Sequence, residues 1–336
     1  MSDAAMAVAL VLGSALASAI LILLLHDTLH RYALARPNAR SSHREPTPQG
    51  GGIAVIAATL GAAGAGLVLF GSGAYGLWPV FAATVFLAAV GAWDDIKIIS
   101  VMPRLLLQGL AVGVVLAAVP SELRLFPALP WGIERVLLLI GGIWFVNLVN
   151  FMDGIDWMMV AEVVPVTIGL ALLGWLGALP DYAAVVALAL LGAMLGFAPF
   201  NRPVAKLFLG DVGSLPVGLL LGWLLLLLGA RGHIAAALLL PLYFLADATA
   251  TLVLRLRQGK TPWHAHRDHF YQRAVDRHFT VSGVVARIFI ANVILIALAA
   301  ATVLLPSPSV SLGALLLGGL LIFALLVLFA RGRGSR

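Results

Sequence analysis

The chain has 336 residues, of which 62% are hydrophobic and only 11% charged, with a mean hydropathy of +1.05. Soluble domains carry roughly 25% charged residues, so this composition describes an integral membrane protein. The absence of cysteine excludes disulfides, thiolate metal sites and cysteine nucleophiles, and the formal charge of +6 is spread as membrane topology requires and not as a nucleic-acid patch.

Apolar runs bounded by charge or by Pro/Gly signals fall at 4–25, 50–70, 78–93, 105–119, 134–150, 158–178, 183–199, 214–230, 234–254, 282–304 and 310–330. They predict eleven membrane-spanning helices, although 78–93 and 105–119 fall short of the ~20 residues of a perpendicular crossing. The first run is long enough to span and has no basic stretch before it, which predicts a retained helix and not a cleaved signal. With the N-terminus outside, the loops 26–49, 94–104, 151–157, 200–213 and 255–281 and the tail 331–336 share one side. That side and its flanks hold 18 of the 21 basic residues; only Arg124, Arg135 and Arg231 fall on the other. The positive-inside rule makes the basic side cytoplasmic, together with the C-terminus. The expected fold is an all-α polytopic membrane protein whose active site is formed by cytoplasmic loops. Residues 1–336 read as one integral membrane domain, with a motif-bearing region 42–273 and C-terminal helices 282–330. The polar stretch Arg255–Ser282 reads as a loop or a short amphipathic helix.

The same threading gathers Asp94, Asp95, Asp153, Asp156, Asp211 and seven of the eight histidines on the cytoplasmic face. In the loop Ser42–Gly52, three glycines allow backbone N–H groups to approach an anion, with His43 and Arg44 adding charge; a plain Pro/Gly linker is the alternative. Asp94 and Asp95 close the third run. Adjacent helical residues point about 100° apart, so the pair divides its work between the reaction centre and a cation or basic partner. Arg104 is a suitable phosphate clamp, and a solvated turn paired with Lys97 is the alternative.

Asn147-Leu-Val-Asn150-Phe-Met-Asp153-Gly-Ile-Asp156 is the densest cluster of amides and carboxylates. On a continuing helix Asn147 and Asn150 share a face, as do Asp153 and Asp156, which makes an oxygen-rich surface for a hard cation or a sugar nucleotide; a hydrated helix end with Asx caps is the alternative. Asp211 sits among glycines at a helix N-terminus, where it is either an N-cap or one of the one or two carboxylates that Mg²⁺ takes from a protein. In Lys260–Arg273, His264, His266 and His269 alternate with Lys260, Arg267 and Arg273. Cations among the histidines speak for an anionic substrate over a metal. Asp247 and Glu162 lie inside runs, where acids are functional candidates; Asp247, about two turns from Arg255, is expected to orient the groups that touch substrate.

Gly-Ala-Trp-Asp94-Asp95 with Arg104, the Asn147–Asp156 stretch, Phe208-Leu-Gly-Asp211-Val-Gly-Ser214 and the histidine loop, in this order, resemble the polyprenyl-phosphate N-acetylhexosamine-1-phosphate transferase superfamily. The Pro-Trp-His264-Ala-His266-Arg267-Asp-His269-Phe-Tyr segment is most similar to the branch that initiates O-antigen and similar surface polysaccharides. The chain departs from the family at Trp157, where glycine is usual. The resemblance implies Mg²⁺, with Mn²⁺ as substitute, on Asp211 and Asn150. It places Asp94 or Asp95 near an attacking lipid phosphate and Asp153 and Asp156 near metal or nucleotide. Substrate contacts fall to His43, Arg104, Asn147, Lys206, His264, His266, Arg267 and His269. It further implies a bacterial inner-membrane enzyme that joins UDP-N-acetylhexosamine to undecaprenyl phosphate within membrane lipid, without nucleic acid, and is compatible with a homodimer. Two other readings compete: a transporter or flippase for a polyprenyl-phosphate-linked substrate, and a CDP-alcohol phosphotransferase, whose Asp-Gly-x-x-Ala-Arg signature is missing.

Overall fold

The structure, a computed structural model, describes residues 3–35, 46–69, 76–260 and 266–332. In chain order its helices are α1 (Asp3–Tyr32), α2 (Gly51–Leu69), α3 (Trp78–Ile96), α4 (Val101–Ala118), α5 (Trp131–Met152), α6 (Met158–Trp175), α7 (Asp181–Phe197), α8 (Asp211–Ala230), α9 (Ile234–Leu239), α10 (Leu242–Arg257), α11 (Phe270–Asp276), α12 (Val281–Leu304) and α13 (Pro308–Arg331). Among the described residues, nine of these are long and apolar enough to cross a membrane. The shorter α7 and the α9–α10 pair take the place of the other two expected runs. The chain is an all-α polytopic membrane protein.

Three expected boundaries shift for physical reasons. The first run continues past Leu25 to Tyr32, because nothing between His26 and Tyr32 breaks a helix. The run 234–254 divides at Leu240-Pro241, where proline lacks the N–H a continuous helix needs. The run 78–93 lengthens to Ile96, so Asp94 and Asp95 are helical residues and not loop residues.

The central helix is α8, buried over most of its length between α3, α5 and α2, while α7 packs against α1, α2 and α6. Leu12, Leu16, Leu23 and Leu24 of α1 and Leu316, Leu320 and Phe323 of α13 point outward, as apolar side chains do when lipid is the solvent. Two close approaches fix the start of α8. A Cβ on Gly91 would run into the backbone of Asp211 and Val212, and one on Gly52 into the backbone of Gly213. Only glycine lets α3 and α2 come this near. A two-residue antiparallel ribbon, β1 (Leu34–Ala35) with β2 (Thr47–Pro48), pairs Leu34 with Pro48. Beyond it, Gly51 N and Gly52 N donate to the carbonyls of Phe208 and Leu209 (2.9 and 2.8 Å). These two N–H groups therefore stitch α2 to the segment before α8, which corrects the expectation that they are free to cradle an anion.

Candidate active site

Helix α3 ends in two carboxylates with different tasks. Asp94 accepts from Ile99 N (2.6 Å) and from Arg104 Nη1 (3.1 Å), so the turn into α4 is folded around it. Arg104 Nη1 also stands 3.9 Å from Asp211 Oδ2, and its Nε is buried without a partner. Asp95 turns to α8 instead, accepting from the N–H groups of Asp211 (3.0 Å) and Val212 (3.1 Å). It fills the capping role for a helix that begins after Gly210, itself at φ 76°, and binds two of the donors left over at any helix N-terminus. Gln49 secures the backbone of Asp95 from the other side, Nε2 to carbonyl oxygen at 2.9 Å.

Helix α5 delivers the amides. Asn150 Nδ2 donates to Asp211 Oδ1 (2.7 Å) and to Ser214 Oγ (2.9 Å). Asn147, one turn earlier and buried, donates to Gln108 Oε1 (2.5 Å) and to Ile143 O (2.8 Å). Gln108 lies one turn beyond Arg104 on α4 and was not singled out from sequence; its spacing of four from Arg104 was the available signal.

After α5 the helix stops, so Asp153 and Asp156 do not share a helical face. Asp156 is buried and accepts from Ala205 N (3.0 Å), which ties this loop to the segment before α8. Asp153 lies near Asp95 and Asp156, and burial, helped by those two charges, raises its pKa from 3.8 to about 7. Trp157 adopts φ 62°, the left-handed conformation that glycine takes without steric penalty. Its N–H donates to Asn201 Oδ1 (2.8 Å) and its Nε1 to Ala198 O (2.7 Å). Asn201 in turn donates to Leu207 O (2.9 Å).

The described part of the histidine loop is built on Asp247, fully buried in α10. Its carboxylate accepts from Tyr243 Oη (2.9 Å), Thr251 Oγ1 (3.2 Å), Phe270 N and Tyr271 N (both 3.1 Å), and lies 3.1 Å from His269 Nδ1. Asp247 thus caps α11 and fixes the ring of His269, which stacks between His266 and Tyr271. Tyr271 Oη reaches Phe151 O (3.2 Å), and a side chain on Gly154 would strike that hydroxyl. This contact docks α11 on the Asp153 loop. Arg267 pairs with Asp276 (3.1 Å), while Arg255, Lys260 and Arg273 surround Asp268. Burial opposes the Asp268 charge, but Arg255, Lys260 and His266 outweigh it and hold that carboxyl below the usual range.

Asp94, Asp95, Arg104, Asn150 and Asp211 therefore form one bonded network, and Asp153 and Asp156 adjoin it. Asp247, His266, Arg267 and His269 form a second group, joined to the first through Tyr271. Asn147 lies a helical turn deeper. Exposed Lys206 lines a groove beside Asp156. His43 and His264 lie outside the described residues.

Residues 77–229 match the family model described as "Glycosyl transferase family 4". The matched region contains the whole carboxylate–amide network and Lys206, whereas Asp247 and the histidine loop follow it. Among relatives, a phospho-N-acetylmuramoyl-pentapeptide-transferase of Gluconobacter oxydans is 34% identical over 197 residues, 48% of this chain and 51% of its own. The enzyme of the same name from Enterococcus faecalis is 32% identical over 154 residues, 46% of this chain and 44% of its own. A decaprenyl-phosphate N-acetylglucosaminephosphotransferase of Mycolicibacterium smegmatis is 26% identical over 289 residues, 73% of this chain and 69% of its own. The chain thus spans about half the length of the first two relatives and about two thirds of the third.

Proposed function

We propose that this protein is a Mg²⁺-dependent enzyme of the bacterial inner membrane that transfers an N-acetylhexosamine-1-phosphate from a UDP-sugar to undecaprenyl phosphate. UMP is the other product, and the reaction is the first membrane step of a surface polysaccharide of the O-antigen kind. The observation that carries the reading is Arg104 held between Asp94 and Asp211 at 3.1 and 3.9 Å, a cation set among the carboxylates at the ends of α3, α5 and α8. The names of the relatives, a phospho-N-acetylmuramoyl-pentapeptide-transferase and a decaprenyl-phosphate N-acetylglucosaminephosphotransferase, support the same chemistry.

A lipid phosphate and a nucleotide diphosphate repel each other, so catalysis consists mainly of charge neutralisation and in-line positioning. An oxygen of the lipid phosphate forms a bond to the β-phosphorus, the bond from that phosphorus to the bridging oxygen breaks, and UMP departs. Asp94 and Asp95 are both engaged by hydrogen bonds, which supports direct attack over a covalent aspartyl-phosphate. Asp153 accepts no hydrogen bond within the protein among the described residues, and its pKa of about 7 suits a group that takes the last proton of the lipid phosphate. Among the described residues no three acids or histidines form a ready metal cage. Mg²⁺ needs only one or two carboxylates beside water and phosphate oxygens, and the excess of acid around Asp211 fits it. Asp211 would hold it, with Asn150 orienting that carboxylate by its amide N–H; when bound, the ion would supply the positive charge that offsets the diphosphate. The surplus of basic residues on the loops supports a cytoplasmic face for this site.

The test is UMP release by the purified protein with undecaprenyl phosphate and a panel of UDP-N-acetylhexosamines, including the MurNAc-pentapeptide donor. One dominant sugar supports the reading. Binding of polyprenyl phosphate without any release would favour a transporter. The clustering of polar groups at helix ends, and not on broken helices at the membrane midplane, supports the enzyme.

A further inference from the structure

Glu162 is a buried acid that the carboxylate network does not use. It lies one turn into α6 and is 1% exposed, as is Asn292 of α12. Asn292 Nδ2 donates to Glu162 Oε2 (2.7 Å) and to Ala161 O (3.0 Å), so the pair ties α6 to α12. Polar side chains often join membrane helices in this way. An acid, however, is among the most costly groups to bury in lipid, and two amides or hydroxyls would join the helices as well. A further partner is expected for the carboxyl.

That partner is the start of α10. The helix begins after the break at Leu240-Pro241 and has no side-chain cap of its own. The first N–H groups of a helix find no acceptor within it, and lipid supplies none. The N–H of Phe244, in the first turn of α10, faces the Glu162 carboxyl, although it closes no full hydrogen bond on Oε1. Gly169, two turns along α6, keeps the three helices together: a Cβ there would run into Leu240 and crowd Ile296 of α12. Asp247 stands one turn after Phe244, and Tyr243 Oη donates to it at 2.9 Å. A shift in the start of α10 therefore shifts the carboxylate that caps α11 and holds His269.

We propose that Glu162 is a positioning residue: steadied by Asn292, it caps α10 from α6 and so sets where Asp247 holds α11 and the ring of His269. Its effect on turnover rests on the reaction proposed above, whereas the capping does not, and the experiment separates the two. Deuterium exchange is followed by mass spectrometry on the full chain in nanodiscs, for the wild type, Glu162→Gln and Glu162→Leu/Asn292→Leu. Replacing both partners by apolar groups strands no polar atom between α6 and α12, so the unfolding midpoint should stay close to wild type. Peptides carrying Phe244 and Phe270-Tyr271 should nevertheless exchange roughly threefold to tenfold faster, the scale for a lost helix cap, with α7 unchanged. Glu162→Gln, which keeps a carbonyl oxygen, should recover most of the protection. If the double variant does not fold, Glu162→Met should show the same pattern of faster peptides. The Michaelis constant for the UDP-sugar should rise by a similar factor while that for undecaprenyl phosphate holds. Unchanged exchange at Phe270-Tyr271, or faster exchange confined to α6 and α12, would reduce the pair to packing and overturn the proposal even if transfer occurs. Faster exchange at Phe270-Tyr271 in a protein whose wild type transfers no sugar phosphate would uphold the capping and overturn the reaction instead.

Discussion

The carboxylate of Asp95 accepts the backbone N–H groups of Asp211 and Val212 at 3.0 and 3.1 Å. The residue sets the position of Asp211 without needing to touch substrate itself. Asp95→Ala should remove a helix cap and cost about 1–2 kcal/mol of stability. Asp95→Asn, whose single carbonyl oxygen can still accept from one of the two donors, should lie between Ala and wild type. Thermal unfolding in detergent checks the order; equal stability of all three would refute the capping role.

Asp153 carries a pH signature. Its folded pKa of about 7 lies above the usual 3.8, and burial, with Asp95 and Asp156 nearby, is the cause. The folded state thus holds a proton that the unfolded chain has released. The stability this provides is fully present below pH 3.8 and lost as pH rises through about 7. In chelator, Asp153→Asn should flatten the fall in unfolding midpoint between pH 5 and about 8 and be more stable than wild type at the upper end; with Mg²⁺ restored, its turnover should be lost while wild type is active. An unchanged pH slope in the variant would assign the titration to another group.

Trp157 occupies a conformation that costs a non-glycine residue roughly 1–2 kcal/mol, offset by its hydrogen bonds to Asn201 and Ala198. Trp157→Ala keeps the strain and loses the indole, whereas Trp157→Gly loses the indole and relieves the strain. The glycine variant should therefore be the more stable of the two by about 1 kcal/mol. Reversal of that order in chemical unfolding would contradict the account of this turn.

Gly91 is the contact on which the network rests. Gly91→Ala pushes a methyl group into the backbone of Asp211, and overpacking of this kind costs about 1–3 kcal/mol. Turnover should fall more steeply than stability, because the displaced atoms belong to Asp211 itself. Normal activity together with a normal unfolding midpoint would show that α3 and α8 are less tightly apposed.

The helices were legible because lipid demands long apolar runs, and the polar knots stood out against them: Asp94-Asp95, Asn150 and Asp211 mark helix ends by sequence alone. What each carboxylate does was not legible. Asp94 and Asp95 are neighbours in sequence, yet one turns to Arg104 and the other to α8, a choice made by tertiary contacts. The helical face expected to join Asp153 to Asp156 is absent because the chain breaks after Met152 and turns through Trp157. His26 and His30 lay in a stretch read as loop, yet α1 continues past Leu25 and carries both. Gln108 was hidden as one polar residue in an apolar run, although its spacing from Arg104 placed it on the same face.

The central claim is that Asp211, oriented by Asn150 and Asp95, serves direct transfer of a phospho-sugar to a lipid phosphate. The decisive measurement follows a UDP-N-acetylhexosamine radiolabelled in its β-phosphate, incubated with undecaprenyl phosphate and Mg²⁺, into the organic phase. Wild-type protein should carry the label into the lipid with one UMP released per transfer. Asp211→Asn, folded and extractable, should reduce that transfer by about 10²-fold or more, the scale for loss of one charge-stabilising group. Label that stays in the aqueous phase with wild type, or that moves equally well with Asp211→Asn, would contradict the account.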